Sequence, residues 1–125
     1  MHARALPWLR RARRRDFEFL LAGHNLAETF AVLTTLPVRP HISPAVAREL
    51  IQRNTGGIAH VVTLSVADCE RVLDRIAALG VSGGAVYDAL IGRAAEKSGA
   101  DRLLTLNPSD FERVWPEGKM ALTVP

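Results

Sequence analysis

The strongest constraint on the fold is an alternation. Short apolar runs of strand length at residues 17–21, 60–64 and 103–106 are separated by longer segments with helical spacing. A strand covered on both faces reads as an unbroken apolar run. Strands that alternate with helices build parallel sheets. The pattern predicts an α/β fold with a parallel sheet flanked by helices. In such sheets ligands bind beyond the carboxyl ends of the strands.

The helical segments carry their own start and stop signals. Residues 3–14 place Ala5, Leu6, Trp8, Leu9 and Ala12 on one broad face. Residues 25–36 repeat that spacing through Leu26, Phe30 and Leu33, until Pro37 and Pro40 break it. Ser43-Pro44 is a cap followed by proline at the first helical position, and that helix runs to Gly56-Gly57. Ser65, with Asp68 three residues on, opens a helix whose apolar stripe is Val66, Cys69, Val72, Leu73, Ile76 and Leu79. Gly80 ends it. Another helix runs from Ser82-Gly83-Gly84 to about Ser98 and closes at Gly99. Pro108 to Phe111 reads as a tight turn or short helix, and residues 120–124 as a last edge strand.

A chain of 125 residues fits one domain, residues 1–125. Its 48% hydrophobic and 23% charged content is that of a globular protein. No apolar run approaches the roughly 18 residues of a membrane span. The single cysteine, Cys69, excludes an internal disulfide and a cysteine-based zinc site. The basic N-terminus is not followed by the apolar stretch of a secretory signal, so a reducing cytoplasm is the expected compartment. The net charge of +3 hides an asymmetry. Residues 1–15 hold six arginines and no acid, while the rest holds ten Lys/Arg against thirteen Asp/Glu. The basic end suits either a solvated helix terminus, complementing the helix dipole, or a nucleic-acid contact.

The carboxylates carry the chemistry. Phosphate-binding glycine loops, HExxH and GxSxG are absent, and the four histidines lack metal-ligand spacing. Glu28 is the only ionisable side chain in residues 25–38, and the helix around it is apolar on most sides. Two roles are open to it: an acid projecting into a partly enclosed cleft, or the last member of an Asn25-to-Glu28 capping box. Asp88 is the only charged residue between Arg75 and Arg93. Gly84 and Gly92 lie one turn to either side of it, leaving room for an ion or a phosphate. The alternative is an acid favoured by the dipole of its helix. Asn107 and Asp110, in Thr105-Leu106-Asn107-Pro108-Ser109-Asp110-Phe111, offer oxygen ligands just past a strand end, or serve as ordinary turn residues. Hard oxygen donors select Mg²⁺ or Mn²⁺ over zinc. An acidic site without a nucleophile or histidine base suits phosphodiester hydrolysis.

Three segments together resemble the PIN domain, and within it the VapC-like toxin ribonucleases. Residues 24–37, around Glu28, look like the family's second-acid helix. Gly83-Gly84-Ala85-Val86-Tyr87-Asp88-Ala89-Leu90 looks like its third-acid helix, and residues 105–111 look like its fourth motif. The resemblance implies a three-layer fold with a parallel sheet between helices. It also implies a Mg²⁺-dependent endoribonuclease (Mn²⁺ as alternative ion), with Glu28, Asp88 and Asp110 on the metal and Asn107 completing the catalytic set. An RNA substrate, a cognate antitoxin protein and a homodimer follow from the same resemblance. The family opens with a strand ending in Asp-Thr or Asp-Ser, placed in the middle of its sheet. This sequence begins at what looks like the following helix, so the first strand and first metal acid are expected to be missing. That departure keeps a second expectation in play: a catalytically inactive relic that binds an antitoxin or RNA.

Overall fold

The computed structural model describes residues 2–105, 108–115, 118, 122 and 123, with the side chains of 2–6 and 9 excepted. The elements run α1 (His2–Arg13), β1 (Phe19–Ala22), α2 (Gly23–Thr35), α3 (Pro44–Thr55), β2 (Ala59–Val62), α4 (Val66–Leu79), α5 (Ala85–Ser98), β3 (Leu103–Leu104), α6 (Pro108–Val114) and β4 (Leu122–Thr123). The chain is therefore mixed α/β, with short parallel strands among helices, as the alternation predicts.

The parallel pair β1–β2 is the middle of a three-layer arrangement. Its register sets Phe19 against Ala59 and Ala22 against Val62. Successive side chains of a strand point to opposite faces. Leu20 and Ala22 accordingly pack with Val62, and with Ala94 and Ile91 of α5, on one face. Phe19 and Leu21 face the other way, into a groove of about 450 Å³ walled by Leu26 and Leu33 of α2 and Leu50 and Ile51 of α3. Arg15 donates to the Gly57 carbonyl at 2.9 Å, and Arg13 bonds Asn54, fixing the end of α1 to the end of α3.

Helices α4 and α5 pack through Val72, Ile76, Ala85 and Ala89, with Val114 of α6 in the same cluster. Both stop where the sequence reading expects. Gly80 (φ 67°) and Gly99 (φ 69°) adopt the left-handed conformation that glycine enters without a Cβ penalty. The cap of α4 does more than start a helix. Asp68 Oδ2 accepts from the Ser65 amide and hydroxyl, each at 2.9 Å, and from Lys97 Nζ at 2.7 Å. Its Oδ1 accepts from Arg93 Nε and Nη2 at 2.9 and 2.8 Å. Asp68 is thus a buried carboxylate joining α4 to α5. Lys97, then Ser65 and Arg93, hold its pKa well below the ordinary value, outweighing the opposing effect of burial.

Two expectations need correction, and the sheet is divided. Among the described residues the parallel strands come as two separate two-stranded pieces, β1–β2 and β3–β4. Each piece lays an apolar cluster against α5, where Ile91 touches both, so the helix and not a continuous hydrogen-bond ladder connects them. Helix α2 has no buried residue among those described, and Val32 is 57% exposed, because the helix packs mainly on α3 and the end of β1. Apolar composition around that helix does not signal enclosure. On α4, Val66, Leu73 and Leu79 are exposed, while Asp68, Val72 and Ile76 form the buried face. The helix is turned to bring the carboxylate toward Arg93 and Lys97, which moves half of the expected stripe out to solvent.

Candidate functional site

Glu28, Asp88 and Asp110 come from α2, α5 and α6. The placement of Glu28 begins with the cap of α2. The Ala22 amide donates to Asn25 Oδ1 at 3.1 Å, so Asn25 fills the role that a capping box would have given Glu28. Glu28 is left free of the helix start and is half exposed. One turn before it, His24 Nε2 lies 3.1 Å from Glu28 Oε1 without the alignment of a hydrogen bond. The His24 ring also sits 6.2 Å, centroid to centroid, from Tyr87, the neighbour of Asp88. This contact links the start of α2 to the start of α5.

Asp88 is half-buried in the first turn of α5, and Asp110 is exposed in the first turn of α6. Burial is the main cause that pushes the Asp88 carboxyl above its ordinary pKa. The charges of Asp110 and Glu28 push it further, and Arg113 and His24 pull the other way. The three acids therefore share one region of negative potential centred on Asp88. Gly84 faces open space, consistent with room on that side. Gly92 has a different purpose. A Cβ placed there would meet Trp115 at 3.2–3.3 Å, so this glycine sets how closely the end of α6 approaches α5. The room expected beside both glycines is open at Gly84 and taken up by Trp115 at Gly92.

Asn107 lies outside the described residues. His24 and Arg113 belong to the site and were not singled out as members by their residue types. The signal for His24 was its i, i+4 spacing to Glu28. Arg113 sits at the far end of a seven-residue helix, and nothing local marks it.

Oxygen donors, desolvation and excess negative charge suit a hard divalent cation. Among the described residues, no three His, Cys, Asp or Glu side chains lie close enough together to hold a metal ion. The acids are thus coupled through their fields and not gathered around one point.

No family model matches the chain, and no solved structure matches it. The chain is 39% identical over 84 residues to Ribonuclease VapC27 of Mycobacterium tuberculosis, covering 67% of this chain and 59% of that protein. It is 35% identical over 85 residues to Ribonuclease VapC40 from two strains of the same organism, covering 68% of this chain and 61% of theirs. The chain therefore spans about three fifths of the length of the curated relatives it matches. No helix among the described residues is long and apolar enough to cross a membrane. Over the matched two thirds of its length this chain is a homologue of the VapC ribonucleases, which are PIN-domain toxins, and its α/β fold is PIN-like.

Proposed function

We propose that this chain is a Mg²⁺-dependent endoribonuclease of a toxin–antitoxin pair that hydrolyses RNA phosphodiesters in the cytoplasm. One observation carries the reading. Asp88 is half-buried with Asp110 and Glu28 in its field, an arrangement that a cation would relieve. Kinship with two named ribonucleases supports the substrate class. Asp88 would be the ion's first ligand, and Glu28, Asp110 and Asn107 the further oxygen donors that would have to close on it. Bound there, Mg²⁺ supplies charge neutralisation at a phosphoryl oxygen and an activated water.

The chain's own residues do the rest. Asp88, already partly desolvated, is a strong acceptor for whatever enters. His24 restrains Glu28 on the open face of α2. Arg113 balances part of the negative charge. A cognate antitoxin and a second copy of the chain are the expected protein partners.

One observation favours a second reading. The absence of three converging ligands among the described residues suits a catalytically inactive relic that binds an antitoxin or RNA. A single experiment separates the two. Purified protein is incubated with structured RNA and Mg²⁺, with EDTA as control, beside the Asp88→Asn variant. The enzyme reading requires cleavage that EDTA and Asp88→Asn both remove. RNA or antitoxin binding without cleavage selects the relic.

A further inference from the structure

Between the starts of α2 and α5 stands an aromatic pair with no part yet in the chemistry of the acids. Tyr87, the one tyrosine of the chain, is 54% exposed. Its openness has a local cause. A helical side chain leans over the turn N-terminal to its own Cα. For Tyr87 that turn holds Gly83 and Gly84, both exposed, and a Cβ added at either would meet no atom within 4 Å. The ground beside the ring therefore carries no side chain. The inner side is closed by His24, whose ring lies 6.2 Å from that of Tyr87, centroid to centroid, at a tilt of 37°. That spacing is typical of packed aromatic pairs. The His24 side chain is only 22% exposed, so it acts as the prop and Tyr87 as the ring on display.

Both rings belong to the neighbourhood of the acids. His24 Nε2 is 3.1 Å from Glu28 Oε1, and the same imidazole acts on the Asp88 charge. Tyr87 directly precedes Asp88. One ring thus stands beside each of two acids that come from different helices. Single-stranded nucleic acid is gripped by stacking its bases on exposed aromatic rings, tyrosine and histidine among them. A stack needs no positive charge, which suits a region of negative potential. The competing ligand, an arginine-bearing peptide, would answer to the acids first and to the ring second. We propose that Tyr87, propped by His24, is a stacking platform for a nucleobase of single-stranded RNA, next to the phosphate that meets the acids around Asp88. The choice of RNA rests on the ribonuclease reading.

The test is binding in EDTA, read by anisotropy of a labelled eight-residue oligoadenylate and of a base-free ribose-phosphate oligomer of the same length. Tyr87→Ala is expected to weaken oligoadenylate binding by about ten-fold or more and to leave the base-free oligomer unchanged. Tyr87→Phe keeps the aromatic face and should bind as the wild type does. The dependence of affinity on salt should match between wild type and Tyr87→Ala, because a stack neutralises no phosphate. His24→Ala, which removes the prop, should show part of the loss. If Tyr87→Ala melts early, Tyr87→Trp and Tyr87→Phe carry the test, the larger indole binding oligoadenylate more tightly; equal or reversed affinities count against the platform. Wild-type affinity in Tyr87→Ala overturns the proposal, as does an equal loss in Tyr87→Phe or with the base-free oligomer. So does an arginine peptide that needs Tyr87 when oligoadenylate does not. Base-dependent loss in protein that cuts no RNA with Mg²⁺ keeps the platform and removes the ribonuclease reading. Mg²⁺-dependent cleavage beside wild-type RNA affinity in Tyr87→Ala keeps that reading and removes the platform.

Discussion

Gly92→Ala tests the packing that holds the site together. Alanine is favoured over glycine in a helix by about 1 kcal/mol, so a free site would gain stability. Gly92 is not free. The new methyl would lie 3.2 Å from Trp115 Cγ and 3.3 Å from its Cβ and Cδ2, inside the roughly 3.5–4.0 Å at which carbon atoms pack best. Trp115 is 7% exposed, clusters with Leu103 and Phe111, and its amide donates to the Phe111 carbonyl at 2.7 Å. The ring gives way only if the end of α6 moves with it. Overpacking of this kind costs about 1–3 kcal/mol. Set against the propensity gain, the net is a loss of about 1 kcal/mol, read as a Tm lower by roughly 4 °C in a domain of this size. Urea unfolding of both single variants and the double variant with Trp115→Leu measures the coupling. With the indole gone, Gly92→Ala should become neutral or stabilising. A gain of about 1 kcal/mol in the native background would refute the reasoning, as would equal effects in both backgrounds. Because α6 also carries Asp110, the same variant should weaken divalent-ion binding.

The two perturbed aspartates predict opposite pH behaviour. The Asp88 pKa is raised, so its charge opposes folding at neutral pH and the penalty fades as pH falls through its folded pKa. Asp88→Asn should therefore raise Tm at pH 7 in EDTA; a lowered Tm contradicts this. The Asp68 pKa is depressed, so its stabilisation is present above the ordinary value of 3.8 and is lost as pH falls below it. Asp68→Asn should lower Tm at pH 7 and flatten the acid side of the stability curve, and an unchanged acid limb counts against the Asp68 cluster. Gly80→Ala should cost about 1–2 kcal/mol, since Gly80 is left-handed at φ 67°; thermal melting checks it.

What could be read from the chain depended on range. Both ends of α4 and the end of α5 were legible because Ser65, Gly80 and Gly99 act locally through caps and left-handed turns. Glu28 and Asp88 stood out because each is the lone charge of its stretch, and Asp110 because it follows a strand end; three separate elements bring their charges within reach of one another. The rotation of α4 was not legible. It is decided by Arg93 and Lys97, 25 and 29 residues away from Asp68. The exposure of α2 was hidden for a similar reason, since composition says nothing of how many neighbours a helix has. The division of the sheet is a matter of which strand edges meet, and no single segment carries that.

The central claim is that the acids around Asp88 bind a hard divalent cation. Calorimetric titration of Mg²⁺ and Mn²⁺ into the wild-type chain, and into Asp88→Asn, measures it directly. Saturable binding in the wild type, weakened by about ten-fold or more in Asp88→Asn, is the predicted result. Equal binding by the two proteins, or heat from neither, would contradict it.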